Sequence, residues 1–187
     1  MYKFLLICGV SGSGKSFIEQ QLVNKQINPE VSFNRLIQVT TRPMRDEEVD
    51  GQDYIFVSDS EYENMKDNLL AKTQFYNNKY GTLNQTKKYE DNGLNINTIV
   101  VNREGNDSAI RDIKKLYPEN EILTIQIKNR QPVAREGRSK EDLIQEINDL
   151  DEVTDLEFYN DPEERLDIKK LIKTLYEMGF INERKFY

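Results

Sequence analysis

The chain has 187 residues, with 33 acidic against 26 basic side chains and a net charge of −7. That balance, with no basic block interleaved with aromatics, weighs against a polynucleotide-binding surface, and 37% apolar residues suffice for one core. The absence of histidine removes imidazole bases and histidine metal sites, so any chemistry must rest on Lys, Arg, carboxylates and magnesium.

The first predicted element is a strand over the apolar run Phe4 to Cys8, reached from Met1-Tyr2-Lys3 without the apolar region of a signal peptide. No run of about 18 apolar residues follows, so the expectation is a cytoplasmic protein that crosses no membrane. Cys8 is the one cysteine, cannot form an internal disulfide, and reads as a core residue rather than a nucleophile.

Directly after the strand, Gly9-Val10-Ser11-Gly12-Ser13-Gly14-Lys15-Ser16 meets the GxxxxGK[ST] pattern of a phosphate-binding loop. The glycines let backbone N–H groups turn inward around phosphates, Lys15 reaches the β- and γ-phosphates, and the Ser16 hydroxyl suits magnesium. Gly9, Ser11, Gly12, Ser13, Gly14, Lys15 and Ser16 are therefore the expected ATP contacts, with Ser16 the metal ligand. A helix over 16–25, with Phe17, Ile18, Leu22 and Val23 as its apolar stripe, directs its N-terminus at the anion.

Further strands are predicted at 36–39, 98–101, 122–127 and 156–159, and helices at 106–116, 140–150 and 162–178. The last helix places Leu166, Leu171, Leu175 and Met178 on one face. This alternation predicts an α/β fold: a P-loop NTPase core whose parallel sheet is flanked by helices. The expected organisation is a single domain over 1–187, with 1–37 and 91–187 as the core. Residues 38–90 form an insertion, and the Arg- and Lys-rich segment 128–140 a lid. Residues 141–167 carry twelve carboxylates and one basic residue, Arg165, the pattern of a solvated face rather than a metal site.

Within the insertion, Arg42 and Arg45 lie three apart on a predicted loop, Tyr54 follows, and Lys79-Tyr80-Gly81-Thr82 brings a hydroxyl pair beside a glycine. Two guanidinium forks held together suit one dianionic monophosphate, although on spacing alone surface arginines with a structural tyrosine are the better reading.

The run GVSGSGKS, then TTRPMRDEEVDGQDYIFVS, then YNNKYGT at similar intervals, resembles guanylate kinase, the family that phosphorylates GMP with ATP. The resemblance covers most of the chain and continues into Arg135-Glu136-Gly137-Arg138, similar to the family's lid, and Phe158-Tyr159-Asn160-Asp161. It implies that Arg42, Arg45, Tyr54 and Tyr80 hold the acceptor monophosphate, with Gln38, Thr82 and Asn102 beside the base. It implies further that Lys15, Arg42, Arg135 and Arg138 act on the transferring phosphoryl group and that Asn160 belongs to the ATP side. The implied ligands are ATP, Mg2+ and a nucleoside monophosphate, with no nucleic acid and no membrane, and the implied assembly is a monomer or homodimer.

Four positions depart from the pattern: the family's usual serine four residues before Arg42 is Gln38, and three more follow, while the arginine expected on the helix after the lid is missing from the acidic residues 141–151. The family's guanine-reading glutamate falls on Ala71, its base-reading aspartate on Asn102, and a carboxylate often near magnesium on Val100. The substrate expected is GMP or dGMP. The alternatives are a related nucleotide kinase with another base preference, or a catalytically weak binding module; an intact Lys15 and Ser16 argue against the module.

Overall fold

The structure, a computed structural model, describes residues 1–24, 31–75, 77–89, 94–130, 140–161 and 163–182, with side chains omitted for 140–143. Strand β1 (Tyr2–Cys8) is the central strand, and its residues Phe4 to Cys8 are fully buried. Such an unbroken apolar run is what a parallel strand covered on both faces requires. Around it the strands β2 (Val31–Arg35), β7 (Leu94–Val101), β8 (Asn120–Lys128) and β9 (Leu156–Tyr159) form a five-stranded sheet in the order β2-β7-β1-β8-β9. Every pairing in it is parallel.

Alternation along β1 divides the core between the two faces. Leu5 and Ile7 join a cluster with Ile18 and Leu22 of α1 (Lys15–Asn24) and Leu171 and Leu175 of α5 (Ile168–Glu177). Phe4, Leu6 and Cys8 pack with Ala109 and Ile113 of α3 (Arg103–Leu116) and Leu150 of α4 (Lys140–Asp151). The P-loop NTPase fold expected from the sequence is thus the fold observed.

Several boundaries differ. The strand expected at 36–39 is two elements: β2 ends at Arg35 in the main sheet, and β3 (Gln38–Thr40) begins a second sheet. The strand expected at 98–101 begins at Leu94, because Asn95 and Asn97 are buried polar residues that break the apolar pattern yet are satisfied internally. Asn97 Nδ2 donates to the carbonyls of Lys3 at 3.1 Å and Lys87 at 2.8 Å. The last helix starts at Ile168 rather than 162, capped by Asp167, and Met178 lies exposed beyond its end. On α1, Ile18 and Leu22 are buried, whereas Phe17 and Val23 are exposed.

The second sheet has the order β4-β3-β6-β5, with β4 at Ile55–Phe56, β5 at Leu69–Phe75 and β6 at Asn78–Leu83. Helix α2 (Asp59–Met65) opens with a capping box in which Ser58 and Glu61 exchange hydrogen bonds. Its Tyr62 hydroxyl donates to the Tyr80 carbonyl at 2.7 Å, tying the helix to β6. Among the described residues, no helix is long and apolar enough to cross a membrane.

Candidate active site

A cavity of about 550 Å³ opens between the carboxyl ends of the main-sheet strands and the second sheet. This is where ligands bind in open parallel sheets, and the volume falls in the range of small-molecule sites. Gly9, Ser11, Gly12, Gly14, Lys15 and Ser16 line one side. The loop is held by its own chain: Lys15 Nζ donates to the carbonyls of Gly9 at 2.6 Å and Val10 at 2.9 Å. Ser16 stands in the first turn of α1, where the helix dipole and unpaired amides favour an anion.

Two glycines are dictated by close approach. A Cβ on Gly9 would lie 2.5 Å from the Ile127 carbonyl oxygen, and one on Gly14 would lie 2.3 Å from Asn160 Nδ2. Asn160 itself is not on the cavity wall. It is 2% exposed, its Nδ2 donates to the Ser13 carbonyl at 3.1 Å, and its Oδ1 accepts from Leu166 N at 3.2 Å. The residue expected to touch ATP is thus a brace beneath the phosphate loop. Ser13 is buried as well, with Oγ unpaired among the described residues.

The opposite side of the cavity carries Arg42, Arg45, Tyr54 and Tyr80. Arg42 Nη2 lies 2.6 Å from Glu48 Oε1, and the Arg45 amide donates to Glu48 Oε2 at 2.8 Å. Burial works against the Glu48 carboxylate, but the hydrogen bonds and charges of Arg42 and Arg45 outweigh it and lower its pKa. The Arg42 guanidinium also sits 5.6 Å from the ring centroids of both Tyr54 and Phe56. Burial in turn raises the Tyr54 pKa, keeping its hydroxyl a neutral donor. The arginines, carboxylate and tyrosines thereby form one polar cluster facing the phosphate loop.

Thr82, expected beside the base, is fully buried with its Oγ1 unpaired among the described residues, and it is not part of the cavity wall. Asn102 does line the cavity, but it is the N-cap of α3, and its Oδ1 accepts from Gly105 N at 2.8 Å. That carbonyl is therefore committed to the helix rather than to a base. Gln38 lines the same wall and donates from Nε2 to the Val100 carbonyl. Arg135 and Arg138 lie outside the described residues.

Several wall residues escaped the sequence reading, among them Arg35, Glu19, Glu48 and Thr73. Arg35, at the end of β2, pairs through Nε with Glu19 of α1 at 3.1 Å and donates from Nη2 to the Asp53 carbonyl at 3.2 Å. Glu19, itself buried, accepts from Thr98 Oγ1 at 2.8 Å. Burial raises the Glu19 pKa, with Arg35 and Thr98 opposing it. Glu48 was part of a quoted motif, and its place between two arginines was the signal that could have marked it. Nothing in the sequence joins positions 19, 35 and 98. At Cys8, burial pushes the thiol up to about 12, which fits an inert core residue.

A family model described as guanylate kinase matches residues 1–161. The chain belongs to the guanylate kinase family. It is 31% identical over 150 residues to a guanylate kinase of Bacillus cereus, covering 75% of this chain and 68% of that one. A guanylate kinase of Malacoplasma penetrans is 42% identical over 82 residues, or 43% of this chain and 40% of the relative. A third, from Mycoplasma mycoides, is 32% identical over 125 residues and is covered over 39% of its length. The alignment thus spans about two fifths of the Malacoplasma and Mycoplasma relatives. The crystal structure of guanylate kinase from Anaplasma phagocytophilum matches with TM-score 0.56 over 95% of this chain and 84% of that chain, at 16% identity, a likeness of fold.

Within this guanylate kinase-family chain the wall around position 71 is unusual. Ala71 has φ of +53°, and the pairing of β5 with β6 shifts register between Leu70 and Thr73. A left-handed alanine costs about 1 kcal/mol, and here its N–H is held by Asp112 Oδ2 at 3.1 Å. The wall therefore offers a methyl group at Ala71 and an isopropyl group at Val100.

Proposed function

We propose that this protein transfers the γ-phosphoryl group of ATP to GMP or dGMP, giving ADP and the nucleoside diphosphate. The observation that carries the reading is a single cavity with the phosphate loop on one side and Arg42, Arg45, Tyr54 and Tyr80 on the other. Two phosphate-binding sets facing one another suit an in-line transfer between two nucleotides and have no purpose in a simple triphosphate binder.

The chain's own groups divide the work. Loop amides and Lys15 hold the triphosphate, with the lysine leaving the carbonyls of Gly9 and Val10 for the β- and γ-phosphates. Arg42 and Arg45 fix the acceptor phosphate, whose oxygen attacks the γ-phosphorus while the bond to the β–γ bridging oxygen breaks. Tyr54 and Tyr80 donate to the remaining acceptor oxygens. By family likeness Arg135 and Arg138 bring further positive charge on closure of 128–140, and closure excludes water. No histidine or other general base is needed, because the attacking phosphate is already anionic.

Magnesium fits the residues present. Mg2+ is usually held by one or two protein oxygens together with substrate phosphates, and the exposed Ser16 hydroxyl at the start of α1 is such a donor. When bound, it would neutralise charge between the β- and γ-phosphates. Among the described residues no group of three or more Cys, Asp or Glu could hold a metal by itself.

A changed base preference remains the second reading, favoured by the methyl group at Ala71. A coupled assay with ATP and a panel of nucleoside and deoxynucleoside monophosphates tests both. Turnover confined to guanine nucleotides supports the first reading, turnover centred on another base the second, and absence of turnover with every monophosphate rejects both.

A further inference from the structure

We propose that Thr73, backed by Glu104, reads the exocyclic 2-amino group of a guanine base in this cavity, in place of the carboxylate absent at Ala71. The inference rests on the proposed acceptor site and deepens it. On its Watson–Crick edge guanine presents the O6 acceptor, the N1–H donor and the N2 amino donor in that order. A matching wall must offer a donor, an acceptor and a second acceptor.

Three cavity residues supply one donor and two acceptors, each with its polarity fixed by a neighbour. Asn102 Oδ1 accepts from the Gly105 amide at 2.8 Å, so the end left over is the Nδ2 donor. Gln38 Nε2 donates to the Val100 carbonyl, so the end left over is the Oε1 acceptor. A backbone N–H and a backbone carbonyl cannot exchange roles, which settles the orientation of both amides. Thr73 Oγ1 donates its one hydrogen to Glu104 Oε2 at 3.1 Å, and a carboxylate can only accept it. The Thr73 hydroxyl is thereby converted into an acceptor, strengthened by the anion behind it.

The register shift in β5 explains why this residue takes the task. Pairing breaks after Leu70↔Thr82 and resumes at Thr73↔Tyr80, which places Thr73 directly across from the tyrosine proposed for the acceptor phosphate. Ala71 has only a methyl group to offer, and its amide is spent on Asp112. Adenine, cytosine and uracil each present a different order of donors and acceptors, so the three-group wall selects guanine without a carboxylate in direct contact with the base.

The probe pair is GMP and inosine monophosphate, which lacks only the 2-amino group. Equilibrium titrations of both, with a non-hydrolysable ATP analogue present, are run on the wild-type protein and on Thr73→Val, Thr73→Ser and Glu104→Ala. The expected result is about tenfold tighter binding of GMP than of inosine monophosphate by the wild type. Thr73→Val brings GMP to the level of inosine monophosphate and leaves the latter unchanged. Thr73→Ser restores the preference, and Glu104→Ala reduces it. Equal binding of the two nucleotides by the wild type overturns the proposal, as does a Thr73→Val protein in which both weaken together. A protein that binds GMP selectively but transfers no phosphoryl group removes the proposed activity and leaves this assignment standing. Turnover on GMP with an undiminished preference in Thr73→Val does the reverse.

Discussion

Arg42 Nη2 and Glu48 Oε1 are 2.6 Å apart, so the clamp proposed for the acceptor already holds an anion of its own. Glu48 holds the guanidinium in place, and under the proposed role a phosphate would meet a preformed fork rather than a mobile side chain. Arg42→Ala and Arg45→Ala should each weaken the monophosphate by about tenfold to a hundredfold, the worth of a charge-assisted hydrogen bond, and leave ATP affinity nearly unchanged. Separate titrations of the two nucleotides check this, and weakening on the ATP side would relocate the acceptor site.

The same pair makes a pH prediction. The Glu48 pKa is lowered in the folded protein. The stabilisation is therefore fully present above the ordinary carboxylate value near 4.5 and is lost as pH falls through the lower, folded value. Urea midpoints measured from neutral to acidic pH should fall less steeply for Glu48→Gln than for the wild type in that acidic window, and coincident curves would assign the acid loss elsewhere.

Replacing Lys15 by Ala should abolish phosphoryl transfer while the fold persists, because it removes the cation proposed to sit on the β- and γ-phosphates, while the hydrogen bonds it gives up in the free protein include those to the Gly9 and Val10 carbonyls of its own loop. Circular dichroism and the coupled assay together read this out; wild-type turnover would take the lysine out of the mechanism.

Glycine substitutions separate strain from collision. Gly14 has φ of +92°, and a Cβ there would meet Asn160 Nδ2 at 2.3 Å, whereas Gly51 has φ of +76° and open space around it. Gly51→Ala should cost about 1 kcal/mol of stability and leave ATP binding intact. Gly14→Ala should cost more and weaken ATP at least tenfold, since the loop must part from Asn160. Thermal unfolding and ATP titration on both variants check the contrast.

A buried carboxylate left alone is expensive. Glu19 is 2% exposed and pairs with Arg35 at 3.1 Å. Arg35→Leu should destabilise the protein by about 3 kcal/mol, and adding Glu19→Gln should recover much of that loss. A double-mutant cycle by denaturant unfolding measures the coupling, and additive losses would show that the two side chains act independently.

What was legible in the sequence follows from how local each constraint is. The phosphate loop and β1 are contiguous patterns, with every contributing residue inside one short run, so both could be read directly. The helix at Asp59–Met65 also carried a local signature, Ser58 and Glu61 in a capping box, that went unused. By contrast, β7 hid its first half because Asn95 and Asn97 are polar, and partners on β1, on β2 and in the 87–89 segment make their burial tolerable. Thr73 and Glu104, or Glu19, Arg35 and Thr98, become neighbours only after the sheets assemble. The commitment of the Asn102 carbonyl to Gly105 likewise depends on where α3 begins, a boundary that the apolar period could not fix.

The hydrogen bond from Asn160 to the Ser13 carbonyl joins positions 147 residues apart in the chain. The loop near the start of the fold is therefore braced by the residue that follows its last described strand. During synthesis from the N-terminus, a growing chain holding β1 and the glycines has the phosphate-loop sequence but not its cradle until β9 has docked. Completion of the brace beneath the phosphate loop is thus tied to assembly of the whole sheet.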